Sequence, residues 1–149
     1  MDIVTPAQRS KNMAVIKSRD TKPELYFRKL LFSRGYRYRI APGNIPGHPD
    51  IFLKRFNTAV FVHGCFWHRH SGCKYAYNPK SREEFWQKKF ADNIRRDAVV
   101  KEQLMDRQIK CLVIWECTIN KMRKSVQFQE EIVSEIEKFF SSDVLNMEF

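Results

Sequence analysis

The sequence predicts a small α/β domain built on a mixed central β-sheet flanked by helices, and three observations lead there. The chain has 149 residues, the usual size of one globular domain. Hydrophobic residues make up 43% of it, with twelve Phe, three Trp and five Tyr, enough to fill a core. Apolar runs of strand length then interleave with stretches of helical period in the order α–α–β–β–β–α–β–α.

Thr5-Pro6-Ala7-Gln8 reads as a capping box with Pro at the first helical position, opening a helix through about Ile16. Thr21-Lys22-Pro23-Glu24 repeats the signal, Leu25, Leu30, Leu31 and Phe32 supply an apolar side, and Gly35 ends the helix. Tyr36 to Ile40 alternates as a half-buried strand does, and the Pro/Gly-rich stretch from Ala41 to Pro49 is a loop. Asp50–Lys54 and Thr58–Val62 read as strands joined by a tight turn at Arg55-Phe56-Asn57. From His63 to Asn78 periodicity is lost, and Cys, His, Gly and aromatics crowd together. Ser81-Arg82-Glu83-Glu84 is a third capping box, with Phe85, Phe90, Ile94, Ala98 and Met105 expected along one face of a long helix. Cys111 to Trp115 is a continuous apolar run, the pattern of a strand buried on both faces. The last helix runs from about Ser125 to Phe140, with Phe128, Ile132, Val133, Ile136 and Phe139 inward.

Net charge is +10 and unevenly spread: residues 1–50 carry ten basic and four acidic side chains, 51–100 repeat that balance, and 101–149 carry seven and nine. A polyanion is the natural partner of the first two thirds, because neutralising phosphates releases counterions. No apolar run approaches the roughly 20 residues that span a bilayer, and the N-terminus lacks the apolar stretch of a signal peptide. The expectation is a cytoplasmic protein with no membrane association, whose four cysteines are reduced and serve as metal ligands or core residues.

Cys65, His70 and Cys73, with Cys117 far along the chain, offer the thiolate–imidazole mixture that suits tetrahedral Zn²⁺ in a closed, structural site. Buried free cysteines beside a surface histidine are the alternative. Cys111 lies inside the apolar strand and reads as a core thiol. Asp50 opens a strand, and Glu24 on the preceding helix could face it; carboxylates there suit a hard cation such as Mg²⁺. An Asp after Pro is more often just a strand start. His63 and His68 flank the first metal-ligand candidate, where an imidazole could move protons near neutral pH or simply be structural. Phe66-Trp67 is a bulky pair for a loop; at least one ring is expected to be exposed, where it could stack on or wedge between bases.

In combination these residues resemble the very short patch repair endonucleases, from about Arg9 to Cys117. The matching blocks are Arg9-Ser10-Lys11-Asn12-Met13, Arg19-Asp20-Thr21 with Glu24, and Pro46-Gly47-His48-Pro49-Asp50. They continue with His63-Gly64-Cys65-Phe66-Trp67-His68, Glu84-Phe85-Trp86 and Val113-Ile114-Trp115-Glu116-Cys117. The resemblance implies a type II restriction-endonuclease-like core over residues 1–149, with 1–20 as a DNA-contacting arm and 63–78 as a zinc-stabilised active-site loop. It implies that Asp50 binds Mg²⁺, that His68 is a catalytic acid/base supported by Glu24 and His63, and that Cys65, His70, Cys73 and Cys117 hold Zn²⁺. Phe66 and Trp67 match aromatics that enter the DNA stack, while Met13, with Lys11 and Asn12, lies in the segment that approaches from the other groove.

Val62 stands where family members carry Thr; a main-chain carbonyl contact to Mg²⁺ is open to either residue. His68-Arg69-His70-Ser71-Gly72-Cys73 replaces a run of histidines, and Phe61-Val62-His63 replaces the acidic-x-Lys motif of many nucleases. The function implied is a Mg²⁺-dependent monomeric enzyme that nicks 5′ to the T of a T:G mismatch in double-stranded DNA. Such mispairs arise by deamination of 5-methylcytosine, which links the enzyme to a cytosine-5 DNA methyltransferase and to mismatch-repair proteins. A zinc-stabilised DNA-binding module without catalysis, or a restriction-type nuclease on the same core, would share its charge and aromatics.

Overall fold

The computed structural model of the chain describes residues 20–149, and the alternation of side chains along its strands explains its layers. Ile51 and Leu53, Val60, and Leu112 and Ile114 all belong to one buried cluster, with Phe27, Leu30 and Leu31, Ile119 and Met122, and Val133 to Phe140. Their strand neighbours Phe52, Ala59, Phe61 and Cys111 belong to a second cluster with Leu104 and Ile109. Each face of the sheet is therefore covered, and the period of two sorts residues between the two cores.

The elements are helix α1 (Lys22–Ser33), strands β1 (Arg39–Ile40), β2 (Ile51–Leu53) and β3 (Thr58–His63), helix α2 (Glu83–Asp106), strand β4 (Lys110–Trp115), helices α3 (Glu116–Lys124) and α4 (Val126–Phe140), and strand β5 (Asn146–Glu148). The five strands pair in chain order. The β1–β2 and β2–β3 pairs are antiparallel, and β3–β4 and β4–β5 are parallel, so the sheet is mixed as predicted. Helices α1, α3 and α4 cover one face and α2 the other. No helix among the described residues is long and apolar enough to cross a membrane.

Local signals account for most boundaries. The Thr21 hydroxyl accepts the Glu24 N–H, as an N-cap does. Glu24, however, reaches one residue further back than a capping box requires, and its Oε2 accepts the Asp20 N–H at 2.7 Å. At the other end of α1, the Gly35 and Tyr36 N–H groups donate to the Phe32 and Leu31 carbonyls, both at 3.1 Å, with Gly35 at φ +91°. That is a Schellman cap, which favours glycine. Ser125 caps α4 through the Phe128 N–H.

Several expectations are corrected. The helix expected over Thr5–Ile16 lies outside the described residues. Leu25 and Phe32 are exposed, and α1 turns Phe27 inward with Leu30 and Leu31. Ser81 is not the cap of α2: Arg82 holds that position at φ 54° with no side-chain cap bond, and its guanidinium lies over the Phe85 ring instead. Along α2 only Phe90 and Leu104 are buried, whereas Phe85, Ile94, Ala98 and Met105 are exposed. Ile94 and Ala98 line a cleft instead of packing on the sheet. The turn after β2 is a 3₁₀ turn, Lys54–Phe56, closed by Asn57 at φ 50°. Helix α3 and strand β5 were not foreseen, and of the Tyr36–Ile40 strand only the two-residue edge β1 forms.

Ile114 is fully buried at the centre of β4. Ile114→Ala is expected to cost about 2–5 kcal/mol by removing contacts and leaving a cavity. A urea midpoint equal to that of the wild type would contradict this placement.

Candidate active site and metal cluster

Strands β3 and β4 run parallel with His63 opposite Trp115, so both chain directions emerge at one end of the sheet. Clefts at the carboxyl ends of parallel strands are where α/β proteins bind ligands. Two residues past each of these partners stand Cys65 and Cys117, and the loop after β3 brings back His68, His70 and Cys73. The register thus assembles two adjacent clusters.

In the first, Cys65, His70, Cys73 and Cys117 place their ligand atoms within 4.8 Å of one another. No disulfide joins them. His70 Nδ1 lies 3.6 Å from the Cys65 sulfur and 3.4 Å from that of Cys117. Tetrahedral Zn²⁺ with ordinary Zn–S and Zn–N bonds has ligand edges of roughly 3.6 Å, so the spacing fits. Cys117 stands in the first turn of α3. Burial pushes the Cys65 thiol up to about 12, so only a cation in the cluster would keep it ionised at neutral pH.

In the second cluster, Asp50 and Glu24 meet from different elements. The loop ahead of β2 delivers Asp50, and Gly47 lets that loop approach α2: at φ +81°, a Cβ there would stand 2.4 Å from Val100 Cγ1. The Val62 N–H donates to Asp50 Oδ2 at 2.6 Å. Burial, with the Glu24 carboxyl beside it, pushes Asp50 up to about 7 against that hydrogen bond. Two carboxyls in contact repel when both ionise, and a hard divalent cation relieves both desolvation and repulsion. Glu24 is itself oriented by the Asp20 N–H, and Asp20 Oδ1 pairs with the buried Arg28 at 2.7 Å.

His63 and His68 stack face to face, with centroids 3.8 Å apart and planes 2° from parallel. His68 Nδ1 is 2.7 Å from Asp97 Oδ2. Burial, and next the charge of His68, pull His63 down to about 3, so its ring is neutral at physiological pH. The His63, His68 and Asp97 ligand atoms also lie close enough for a metal. Parallel stacked rings direct their in-plane lone pairs along parallel planes, however, and the His68–Asp97 contact is a hydrogen bond. Trp115 sits between the clusters, stacked on His70 at 4.2 Å and edge-on to His63 at 5.2 Å, with its indole N–H donated to Glu148 Oε1.

The structure therefore brings together Glu24, Asp50, Val62, His63 and His68 on one cleft of about 1020 Å³. Met13, Lys11 and Asn12 lie outside the described residues. Asp97 and Trp86 had not been singled out. Asp97 belongs to a helix 29 residues from His68 with no motif around it, so only packing could reveal it. Trp86 stood in a recognisable block and sits in the aromatic group of the loop. Neither Phe66 nor Trp67 is fully exposed; both are half-buried, packed on each other at 5.1 Å and against Trp86 at 5.5 and 5.7 Å. The more exposed rings here are Tyr75, Tyr77 and Phe85.

An acid pair, a histidine–carboxylate pair and a thiol–imidazole cluster at the end of a mixed sheet, on a basic chain, define a class: a hydrolytic α/β protein that acts on a polyanion. The family model described as DNA mismatch endonuclease Vsr matches residues 1–74. The type II nicking enzyme V.NmeAIP of Neisseria meningitidis serogroup A is 40% identical over 135 residues, 91% of this chain and 96% of that protein. The DNA mismatch endonuclease Vsr of Escherichia coli is 36% identical over 123 residues, 83% of this chain and 78% of that one. The type II nicking enzyme V.XorIIP of Xanthomonas oryzae pv. oryzae is 37% identical over 121 residues, 81% and 88% of the two chains. The chain belongs to the Vsr endonuclease family, and it is a nuclease that acts on DNA.

Two outcomes follow from this geometry. The purified protein is expected to take up Co²⁺ one to one with the visible absorption of tetrahedral thiolate ligation, and Cys117→Ser is expected to lose that spectrum. Full colour in Cys117→Ser would remove the fourth ligand. For Asp50 the pKa rises from 3.8 to about 7 on folding, so its stabilising share is full below the lower value and is lost as pH rises through the upper one. Without added Mg²⁺, the melting temperature of the wild type relative to Asp50→Asn should fall between those limits. A constant difference would show that Asp50 titrates normally.

Proposed function

We propose that this protein nicks one strand of double-stranded DNA 5′ to the T of a T:G mismatch, with Mg²⁺ at Asp50 and structural Zn²⁺ in the thiol–imidazole cluster. The single observation that carries the hydrolytic reading is the convergence of the Glu24–Asp50 pair with the His63–His68–Asp97 stack on one cleft. The mismatch reading is supported by family membership and by the aromatic group beside that cleft. We read the core as type II restriction-endonuclease-like and residues 1–149 as one endonuclease unit, with 1–20 as an arm on the DNA and Met13, Lys11 and Asn12 among its contacts. Residues 63–78 form the zinc-stabilised loop.

Bound Mg²⁺ would lower the pKa of a water and stabilise charge on the cleaved phosphodiester. Asp50, with the Val62 main-chain carbonyl, would hold it, and Glu24 would stand beside it. The His68–Asp97 pair commits Nδ1 of His68 to the carboxylate, which leaves Nε2 as the nitrogen that exchanges a proton at the scissile phosphate. His63, neutral and stacked on it, holds that ring in plane and adds no second positive charge. Phe66, Trp67 and Trp86 would enter the stack at the mismatch; wedging costs a few kcal/mol per step, and a T:G pair yields more readily than a Watson–Crick pair. Action at deaminated 5-methylcytosine would tie the enzyme to a cytosine-5 DNA methyltransferase and to mismatch-repair proteins.

An end-labelled duplex with one T:G mismatch in a CTAGG-like context, with and without Mg²⁺, tests this directly. The expected product is a Mg²⁺-dependent nick 5′ to the T, on that strand alone. Asp50→Ala is expected to abolish nicking with binding retained. Asp97→Asn should slow it by about 10²–10⁴-fold, the range of a misoriented acid/base histidine. Binding without a nick would favour a DNA-binding module, and cuts in both strands of a matched duplex a restriction-type nuclease.

A further inference from the structure

The aromatic group beside the cleft does not end at the rings that would enter the DNA. Tyr77 is 62% exposed, and its ring lies 5.0 Å from that of Phe66 at an angle of 36°. A single exposed aromatic is ordinary on a protein surface. What sets Tyr77 apart is how firmly its backbone is held while its ring is left in solvent.

The clamp is Arg69. Its Nη1 donates to the carbonyls of Tyr77 at 2.9 Å and Phe66 at 3.3 Å, and its Nη2 to the Ala76 carbonyl at 2.9 Å and Asn78 Oδ1 at 2.8 Å. The guanidinium also lies 3.8 Å from the centroid of Phe90. One side chain thus ties residues 76–78 to Phe66 and to α2. Arg69 adopts φ 54°, a left-handed conformation that costs a non-glycine residue about 1–3 kcal/mol unless its surroundings enforce it. The hydrogen bonds of the planar fork offset that cost. Lysine, with a single nitrogen, could not reproduce the fork.

The surroundings are cationic as well as aromatic. Lys74 lies over Tyr75 at 5.1 Å and Arg82 over Phe85 at 4.4 Å, and Lys80 falls between them in sequence. Exposed rings interleaved with cations match a nucleic-acid strand, whose bases stack and whose phosphates neutralise. Pre-ordering the backbone removes part of the entropy that stacking would otherwise cost.

We propose that Tyr77 is the outermost ring of the aromatic wedge and stacks on a base next to the mismatch, with Arg69 as the positioning residue that presents it. The proposal rests on the mismatch reading of this site. Its ligand is the DNA duplex itself, and its contribution is to discrimination rather than to the hydrolytic step.

The experiment is equilibrium binding, with Ca²⁺ in place of Mg²⁺, of duplexes that differ only in a T:G or a T:A pair. Wild type is compared with Tyr77→Ala, Tyr77→Phe and Arg69→Lys. Melting temperature and Co²⁺ absorption serve as checks on the fold. Tyr77→Ala is expected to bind the T:G duplex about tenfold more weakly, within the range for loss of one base–aromatic stack, with T:A binding unchanged. Tyr77→Phe should restore most of the loss, since the ring and not the hydroxyl makes the stack, and Arg69→Lys should reproduce it in part. A wild-type preference for T:G that Tyr77→Ala retains would overturn the assignment of Tyr77 alone. Equal losses on both duplexes would overturn it too, marking a general backbone contact. A wild type that does not distinguish T:G from T:A would overturn the mismatch reading, and the role of Tyr77 with it.

Discussion

The parallel register of β3 and β4 is the constraint on which the rest depends. With His63 set opposite Trp115, the residues two places beyond each partner are Cys65 and Cys117, and these belong to one ligand group. A slip of one residue would turn His63 to the other face of the sheet and separate the thiols, because side chains alternate with period two. The alternation that buries Val60, Leu112 and Ile114 on one face and Ala59, Phe61 and Cys111 on the other makes such a slip costly. The core thereby enforces the register that the site requires.

Trp115 carries that order outward. Its indole lies against the histidine of each cluster and is anchored by Glu148 on the edge strand β5. The thiol–imidazole group and the acid–histidine group therefore share a wall. The loop between them has no helical or strand period and holds two positions at positive φ, Arg69 and Gly72. Phe66 and Trp67 pack it against Trp86 and Phe90, and the Arg69 fork ties residues 76–78 to Phe66.

The electrostatics follow the same division. A half-buried Asp50 pushed up to about 7 beside Glu24 and a His63 held neutral by desolvation are both less stable in their charged forms than in water. Groups perturbed in this way cluster at functional sites. Elsewhere charge is solvated or capped: Lys110, also buried, donates to the Phe139, Phe140 and Ser142 carbonyls and so closes the end of α4.

The sequence by itself determined the periodic parts of this protein. The alternating strands, the buried run of β4, the Thr21 and Ser125 caps and the Gly35 stop are local preferences that tertiary packing left in force. Spacing also marked Cys65, His70, Cys73 and Cys117 as one group, because few residue types bind soft metals, and that group does converge. Contacts between elements were decided only by the fold. Asp97 resembles any surface acid of a helix until α2 lays it against His68. Tyr77 resembles any loop tyrosine until Arg69 fixes it beside Phe66. The exposure of Ile94 likewise reflects the cleft that α2 borders and not its own pattern. Periodicity states which side of an element is apolar; what that side meets depends on residues distant in the chain, and only the packed sheet brings them together.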